Sequence, residues 1–270
     1  MSMTFVIPSR STPESEEKVK VAMSSIRKVR GADDEIVVVR DCPSMAFAYN
    51  EGIRRAANER IVFMHDDVEL RPSEYWSDAV LDAIFQKWPV GFLGVAGSKD
   101  MFPDGRWYID GNRMCGACFH AQIFAPNQAA PEGSTRLPDG RQYQEWYTAY
   151  GDFGRVVVLD GVLLISTKTV LSKIGGFDEE TFKDTWHYYD LDVTLRAHLA
   201  GFHNITVPLF ICHLSPGSYN DKWAQTKDAF LRKWFPQLPV LLDFEHDYTV
   251  QALRHIQLGQ AGPPGPEMAG

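Results

Sequence analysis

Residues 65–67 read His-Asp-Asp, directly behind the apolar run Ile61 to Met64. A short apolar run of this kind is the signature of a buried parallel strand. In open α/β sheets the ligand crevice lies beyond the carboxyl ends of such strands. Two adjacent carboxylates and an imidazole in that crevice resist desolvation unless a cation or a positively charged substrate offsets them. The plain alternative is a solvated turn in which Asp66 or Asp67 caps the next segment. Other chemistry-bearing residues are scattered along the chain. Asp41 follows the apolar run Ile36 to Val39, and its plain reading is a cap or turn residue before Pro43. Asp160-Gly161 interrupts the apolar stretch Arg155 to Ile165, where a buried carboxylate needs a reason, although a β-bulge would also break the pattern. Asp190 and Asp192 stand at the start of a helical segment, a place the helix dipole favours for carboxylates in any protein. At i, i+4 spacing Asp192 can also pair with Arg196. Cys115-x-x-Cys118 with His120 suggests zinc, but a structural zinc needs four ligands and no second pair is present. Small buried thiols are the better reading.

These residues need elements to position them, and the first hundred residues alternate between strand and helix. Phe5 to Ile7 is a strand stopped by Pro8. Thr12-Pro13 opens a helix in the N-cap and N1 pattern, with a stripe of Val19, Ala22, Ile26 and Val29. After the strand at Ile36 to Val39, Ser44 caps a helix whose inner face is expected to carry Phe47, Ile53 and Ala57. The strand at Ile61 to Met64, a helix over Tyr75 to Lys87 and a strand over Gly91 to Ala96 complete the run. Such alternation implies a parallel sheet with helices on both faces. Three of the four strands end in polar residues, namely Ser9-Arg10, Asp41 and His65-Asp66-Asp67, so these line one edge of one sheet.

From Met101 to Tyr150 the texture is irregular. Asp104-Gly105, Asp110-Gly111 and Asp139-Gly140 are turn or hairpin signals between short aromatic segments, and Pro126 to Pro138 is expected to be a mobile loop. The stretch from Arg155 to Ile165 reads as one long interrupted strand. Helices are expected before Gly175-Gly176, over His187 to Leu199 and over Lys222 to Trp234, with short strands at Ile205 to Val207 and Phe210 to Cys212. The last ten residues, AGPPGPEMAG, read as disordered.

The 270 residues suffice for one large domain, and 44% hydrophobic content suffices for a proper core. A formal net charge of −8 argues against nucleic acid as a partner. No apolar run is long enough to span a bilayer, and the N-terminus lacks the pattern of a secretory signal. The expected address is the cytosol, with peripheral attachment at the inner face of the membrane compatible with it.

Several blocks, in order, carry a resemblance: FVIPSRS, EIVVVRD, AYNEGIRRAANERIVFMHDDVEL, VLDGVLLISTKTVLSKIGGFDEETF, YYDLDVTLRAHLAGF and ICH. Together they resemble the GT-A glycosyltransferases, and within them the inverting family 2. The resemblance covers roughly residues 4 to 215. It implies a Rossmann-like α/β fold with a mixed, mostly parallel central sheet flanked by helices. It further implies a catalytic domain over 1–235, with a nucleotide-binding half near 1–100 and an acceptor-binding half near 101–235, followed by an extension over 236–270.

The resemblance implies transfer of a sugar from a nucleotide-diphosphate donor to a saccharide or other hydroxyl acceptor. A divalent cation, Mn²⁺ or Mg²⁺, neutralises the leaving diphosphate. The family's Asp-x-Asp motif falls on His65-Asp66-Asp67, with His65 in place of the first Asp and Asp67 as the metal carboxylate. His213 matches a third metal ligand, or is an ordinary loop histidine. Pro8, Ser9, Arg10, Asp41, Asn50, His65, Asp66, Asp160 and Gly161 are implied donor contacts, Asp41 through the base and Arg10 also through phosphate. Asp190 matches the general base, and Tyr189 stands where the family has Glu. Trp186, His187 and Tyr188 are candidates for an acceptor shelf, or else core. A sugar nucleotidyltransferase, a retaining GT-A transferase and a non-catalytic sugar-binding module are the alternatives. The first is disfavoured because PSRSTPESEE after the first strand is acidic and glycine-free.

Overall fold

In the computed structural model, residues 2–108, 113–137, 140–215, 220–242 and 253 are described. The first strand, β1 (Met3–Ser9), has all seven residues buried, as expected of an interior strand. The Thr12 hydroxyl accepts from the Ser15 amide and opens α1 (Pro13–Arg30), with acidic residues in its first turn and basic ones in its last, as the helix dipole favours. Next come β2 (Glu35–Arg40), α2 (Met45–Arg55) capped by Ser44, β3 (Arg60–Met64) and β4 (Val68–Leu70). Ser77 caps α3 (Asp78–Lys87), which is followed by β5 (Val90–Gly94), β6 (Ala96–Ser98) and β7 (Asp100–Met101). A long hairpin pairs β8 (Met114–Phe124) with β10 (Gln142–Gly151), and β9 (Thr135–Arg136) lies beside it. The chain continues through β11 (Arg155–Val156), β12 (Val158–Leu159), β13 (Leu163–Thr167), α4 (Lys168–Ile174) and α5 (Tyr189–Leu199). It proceeds to β14 (His203–Thr206), β15 (Ile211–His213), α6 (Asp221–Trp234) and β16 (Val240–Leu241).

The central sheet runs β11-β14-β5-β13-β3-β1-β2. β13 enters antiparallel between β3 and β5, and β11 is antiparallel at the edge; the other five strands share one direction. The sheet is therefore mixed, as the resemblance implies, whereas alternation alone reads as purely parallel. A second sheet runs β12-β6-β8-β10-β9, and β15 joins it by pairing with β8 on one side and β4 on the other.

Several sequence expectations are corrected. The buried face of α2 is Met45, Ala46, Ala48, Tyr49 and Gly52; Phe47 is exposed and Ala57 lies beyond the helix. Small residues let α2 sit directly on β1: a Cβ at position 52 would fall 2.1 Å from a Val6 methyl. The expected strand Gly91 to Ala96 is split between the two sheets, and the stretch Arg155 to Ile165 is three strands. Asp160-Gly161 is the crossing point at which the chain leaves the second sheet for the first. The irregular region from 101 to 150 contains the long hairpin, whose exposed faces lack the apolar alternation of a half-buried strand. Helix α5 starts at Tyr189 rather than His187 because Tyr188 adopts a left-handed backbone, φ +62°. Asp110-Gly111, Pro138-Asp139 and the C-terminal AGPPGPEMAG lie outside the described residues.

Candidate functional site

The carboxyl ends of β1 and β3, the N-terminus of α1, the Asp160-Gly161 crossing and the N-terminus of α5 surround a cleft of about 860 Å³. Pro8, Ser9 and Arg10 line it from β1, and His65, Asp66 and Asp67 from β3. Asp160 and Gly161, the run from Trp186 to Asp190, and His213 close the other sides. Two expected donor contacts are not among the lining residues. Asn50 donates to the Phe177 carbonyl (2.8 Å) and the Glu179 carboxylate (2.7 Å) and accepts from the Phe177 amide, so it ties α2 to the loop before α5. Asp41 has a left-handed backbone, φ +55°, and its carboxylate accepts from the Ser11 amide (2.9 Å) and hydroxyl. Those hydrogen bonds hold its pKa below the ordinary value.

The pairing of β15 with β4 explains how distant residues meet. His213 stands opposite Val68, and the Leu214 amide donates to the Asp67 carbonyl (2.8 Å). This register sets His213 Nε2 3.4 Å from Asp67 Oδ1, with His65 Nδ1 4.0 Å from the same oxygen. The three residues offer donor atoms that all lie within 4.8 Å of one another. Burial pushes the Asp67 carboxyl up, but the His213 and His65 imidazoles beside it outweigh this and hold it at about 2. Burial pulls His213 down, and Asp67 more than reverses that. His65 is lowered by its own burial, against the pull of the Asp67 charge. Asp67 Oδ1 is buried and has no hydrogen-bond partner among the described residues. A buried carboxylate oxygen set between two imidazoles, with no close hydrogen bond of its own, fits a divalent cation, which would take all three groups as ligands.

Asp190 is the second residue of α5, and its Oδ2 accepts from the Gly161 amide at 2.8 Å. Burial, followed by the negative charge of Asp160, pushes its carboxyl up to about 7. The Asp160 carboxylate accepts from the Val162 amide (2.9 Å), which closes the turn at the crossing. Gly161 is required by packing, because a Cβ there would lie 2.4 Å from the Tyr189 hydroxyl and 2.7 Å from Asp190 Cβ. Asp192, two residues on, is fully buried and faces away from the cleft. It binds Arg196 Nε (2.9 Å), Trp234 Nε1 (2.9 Å) and Lys233 (2.6 Å), locking α5 to α6.

On the β1 side the Ser9 hydroxyl donates to Asp66 Oδ2 (2.6 Å); burial raises the Asp66 carboxyl and this hydrogen bond opposes the rise. The Arg10 guanidinium lies over the Trp186 ring, 5.9 Å from its centroid. His187 is lowered by burial, and Tyr188 packs on Trp223 and Phe230 as core while bordering the cleft. The cysteines are free thiols, with Cys115, Cys118 and Cys212 buried.

Sequence reasoning missed Lys18, Trp107, Tyr108, Tyr189 and Trp223 as lining residues. Lys18 was findable: Glu14 and Ser15 stand four and three residues before it and share its face of α1, below an N-terminus that opens on the cleft. Trp107 and Tyr108 come from the irregular region, where no periodicity points to a role.

The family model described as "Glycosyltransferase like family" matches residues 5–233. No curated protein matches the sequence. Among solved structures, the chain is similar to GalNAc-T7 crystallised with UDP, GalNAc and Mn²⁺, at 9% identity and a TM-score of 0.53. That alignment covers 87% of this chain and 48% of the other, so the chain spans about half of that neighbour's length. Staphylococcus aureus TarS 1-349 in complex with UDP matches at 14% identity and a TM-score of 0.47, covering 88% of this chain and 73% of that one. With the mixed sheet, the cleft at its carboxyl edge and the match over most of its length in agreement, the chain belongs to this glycosyltransferase-like family and has a GT-A fold.

Proposed function

We propose that the protein transfers a sugar from a nucleotide-diphosphate donor to a hydroxyl of a saccharide or similar acceptor, with inversion by direct displacement. One observation carries the reading: the Asp67 carboxylate, buried between His65 and His213, shares a cleft with Asp190, whose carboxyl is tuned to about 7. The UDP, GalNAc and Mn²⁺ bound by GalNAc-T7 support a UDP-sugar as the first donor to try.

His65, Asp67 and His213 would hold Mn²⁺ or Mg²⁺, which when bound supplies Lewis-acid stabilisation of the leaving diphosphate. Arg10 and Lys18 add positive charge on the β1 and α1 side of the cleft. Ser9 orients Asp66 toward the donor ribose, and Asp41 shapes the base side of the pocket by clamping Ser11. Trp186 offers a ring face for a sugar beside His187 and Tyr188. Asp190, oriented by the Gly161 amide, takes the acceptor hydroxyl proton as that oxygen attacks. A base titrating near the working pH has both the unprotonated population and the proton affinity the step needs.

The test is nucleotide release from a panel of UDP-, GDP- and dTDP-sugars with Mn²⁺, paired with thermal shifts of the same mixtures. One donor should stand out in both. No release and no shift across the whole panel would overturn the assignment. Proton NMR of the product anomer checks inversion.

A further inference from the structure

The two positions at which this chain departs from the family pattern it resembles, His65 and Tyr189, are 124 residues apart and touch. His65 Nε2 and the Tyr189 hydroxyl are 2.7 Å apart. The same hydroxyl donates to the Gly161 carbonyl at 3.2 Å. A carbonyl can only accept; with the phenolic proton on that carbonyl, the Tyr189 oxygen accepts from His65 Nε2–H. His65 then carries its proton on Nε2 and its lone pair on Nδ1, the atom that faces Asp67. Tyr189 is itself buried at the edge of the cleft, packed with Tyr49 edge-on at 5.5 Å and Phe177 at 6.2 Å between ring centroids.

We propose that Tyr189 is a positioning residue that fixes the tautomer and orientation of His65, so that the cleft presents two imidazoles and one carboxylate to a divalent cation and prefers Mn²⁺ or Co²⁺ over Mg²⁺. The inference rests on the reading that the cleft holds a divalent cation. The physical basis is ligand softness. Imidazole nitrogen suits first-row transition ions, whereas Mg²⁺ favours oxygen ligands and gives up water reluctantly. A histidine ligand is oriented by the group that receives its other ring N–H, and loss of that partner typically weakens metal affinity by about 10- to 100-fold. Here the partner is Tyr189, and the Gly161 it grips is also the residue whose amide orients Asp190. One glycine is thus held by its carbonyl from the metal side and by its amide from the base side.

The test uses the metal-free 270-residue protein and measures binding rather than turnover. Co²⁺ is titrated by visible absorption, and Mn²⁺ and Mg²⁺ by calorimetry, for wild type, Tyr189→Phe, His65→Asp and the double variant, with the thermal midpoint of each metal-free protein recorded alongside. Wild type should bind Mn²⁺ about 100-fold or more tighter than Mg²⁺ and show the d–d bands of nitrogen-ligated Co²⁺. Tyr189→Phe should lose about 10- to 100-fold in Mn²⁺ affinity. His65→Asp should lower the Mn²⁺-to-Mg²⁺ affinity ratio. On that background Tyr189→Phe should change affinity less than about 2-fold, a coupling that a merely structural tyrosine would not produce. Equal Mn²⁺ affinity in wild type and Tyr189→Phe overturns the positioning role and leaves the transferase reading intact. Absence of any metal binding by wild type overturns the role together with the metal-dependent part of that reading. Should Tyr189→Phe fail to fold, an unchanged ion preference in His65→Asp alone still overturns the proposal.

Discussion

Replacing Asp190 by Asn removes the proposed base without changing its shape, and the structure sets what should follow. The carboxyl titrates at about 7 in the folded protein because it is buried beside Asp160, against an ordinary value of 3.8 when unfolded. Between those values the unfolded chain binds fewer protons than the folded one, so wild-type stability falls as pH rises, by up to about 1.36 kcal/mol per pH unit. The effect is absent below pH 3.8 and complete above 7, with a ceiling of about 4 kcal/mol. Asn does not titrate. Asp190→Asn should therefore match wild type near pH 4 and become progressively more stable toward pH 8, a gain of several degrees in Tm at roughly 2–4 °C per kcal/mol. Transfer should fall by about 10²- to 10⁴-fold, as expected for loss of a general base, while the thermal shift produced by the donor persists. The assay is a pair of curves, Tm against pH from 4 to 8 and initial rate against pH, for both proteins. Wild-type-like turnover in the variant would remove Asp190 from the mechanism. Parallel Tm curves would show that its carboxyl is not raised, and the tuned-base reasoning would go with it.

Three further outcomes follow from named contacts. Asp192→Ala leaves Arg196 and Lys233 without their shared buried carboxylate and should destabilise the fold by about 3–5 kcal/mol in denaturant titration; a loss within about 0.5 kcal/mol would mean that the α5–α6 lock is dispensable. Gly161→Ala puts a methyl against both the Tyr189 hydroxyl and Asp190 Cβ, so kcat should drop further than Tm, and unchanged kcat would show that the crossing can shift without moving the base. Chelation should abolish transfer and Mn²⁺ should restore it, whereas undiminished activity after exhaustive chelation would show that the imidazole–carboxylate cluster serves another purpose.

Much of this was legible in sequence, and the legible part has a common cause. Capped helices and apolar runs are local: Thr12, Ser44 and Ser77 accept amides three residues away or fewer, and β1 and β3 are buried along their whole length. A strand followed by His-Asp-Asp then points to a crevice in any open α/β sheet. Asp139-Gly140 signals a turn or hairpin, but the length of the β8–β10 pairing was not legible, because β10 is largely exposed and carries no burial pattern to read. The assignment of Asn50 to the donor site followed block position, and the fold instead turns its amide toward Phe177 and Glu179.

The sequence by itself determined which residues could do chemistry and the local elements that carry Ser9, Asp67 and Asp190, since capping, periodicity and burial act over a few residues. The tertiary structure alone decided their company. Pairing of β15 with β4 brought His213 to Asp67, the crossing at Asp160-Gly161 set an amide against Asp190, and packing around Tyr189 placed its hydroxyl on His65. Strand register, a turn between two sheets and the closeness of two side chains 124 residues apart depend on the whole chain closing around one core, and no local pattern encodes them.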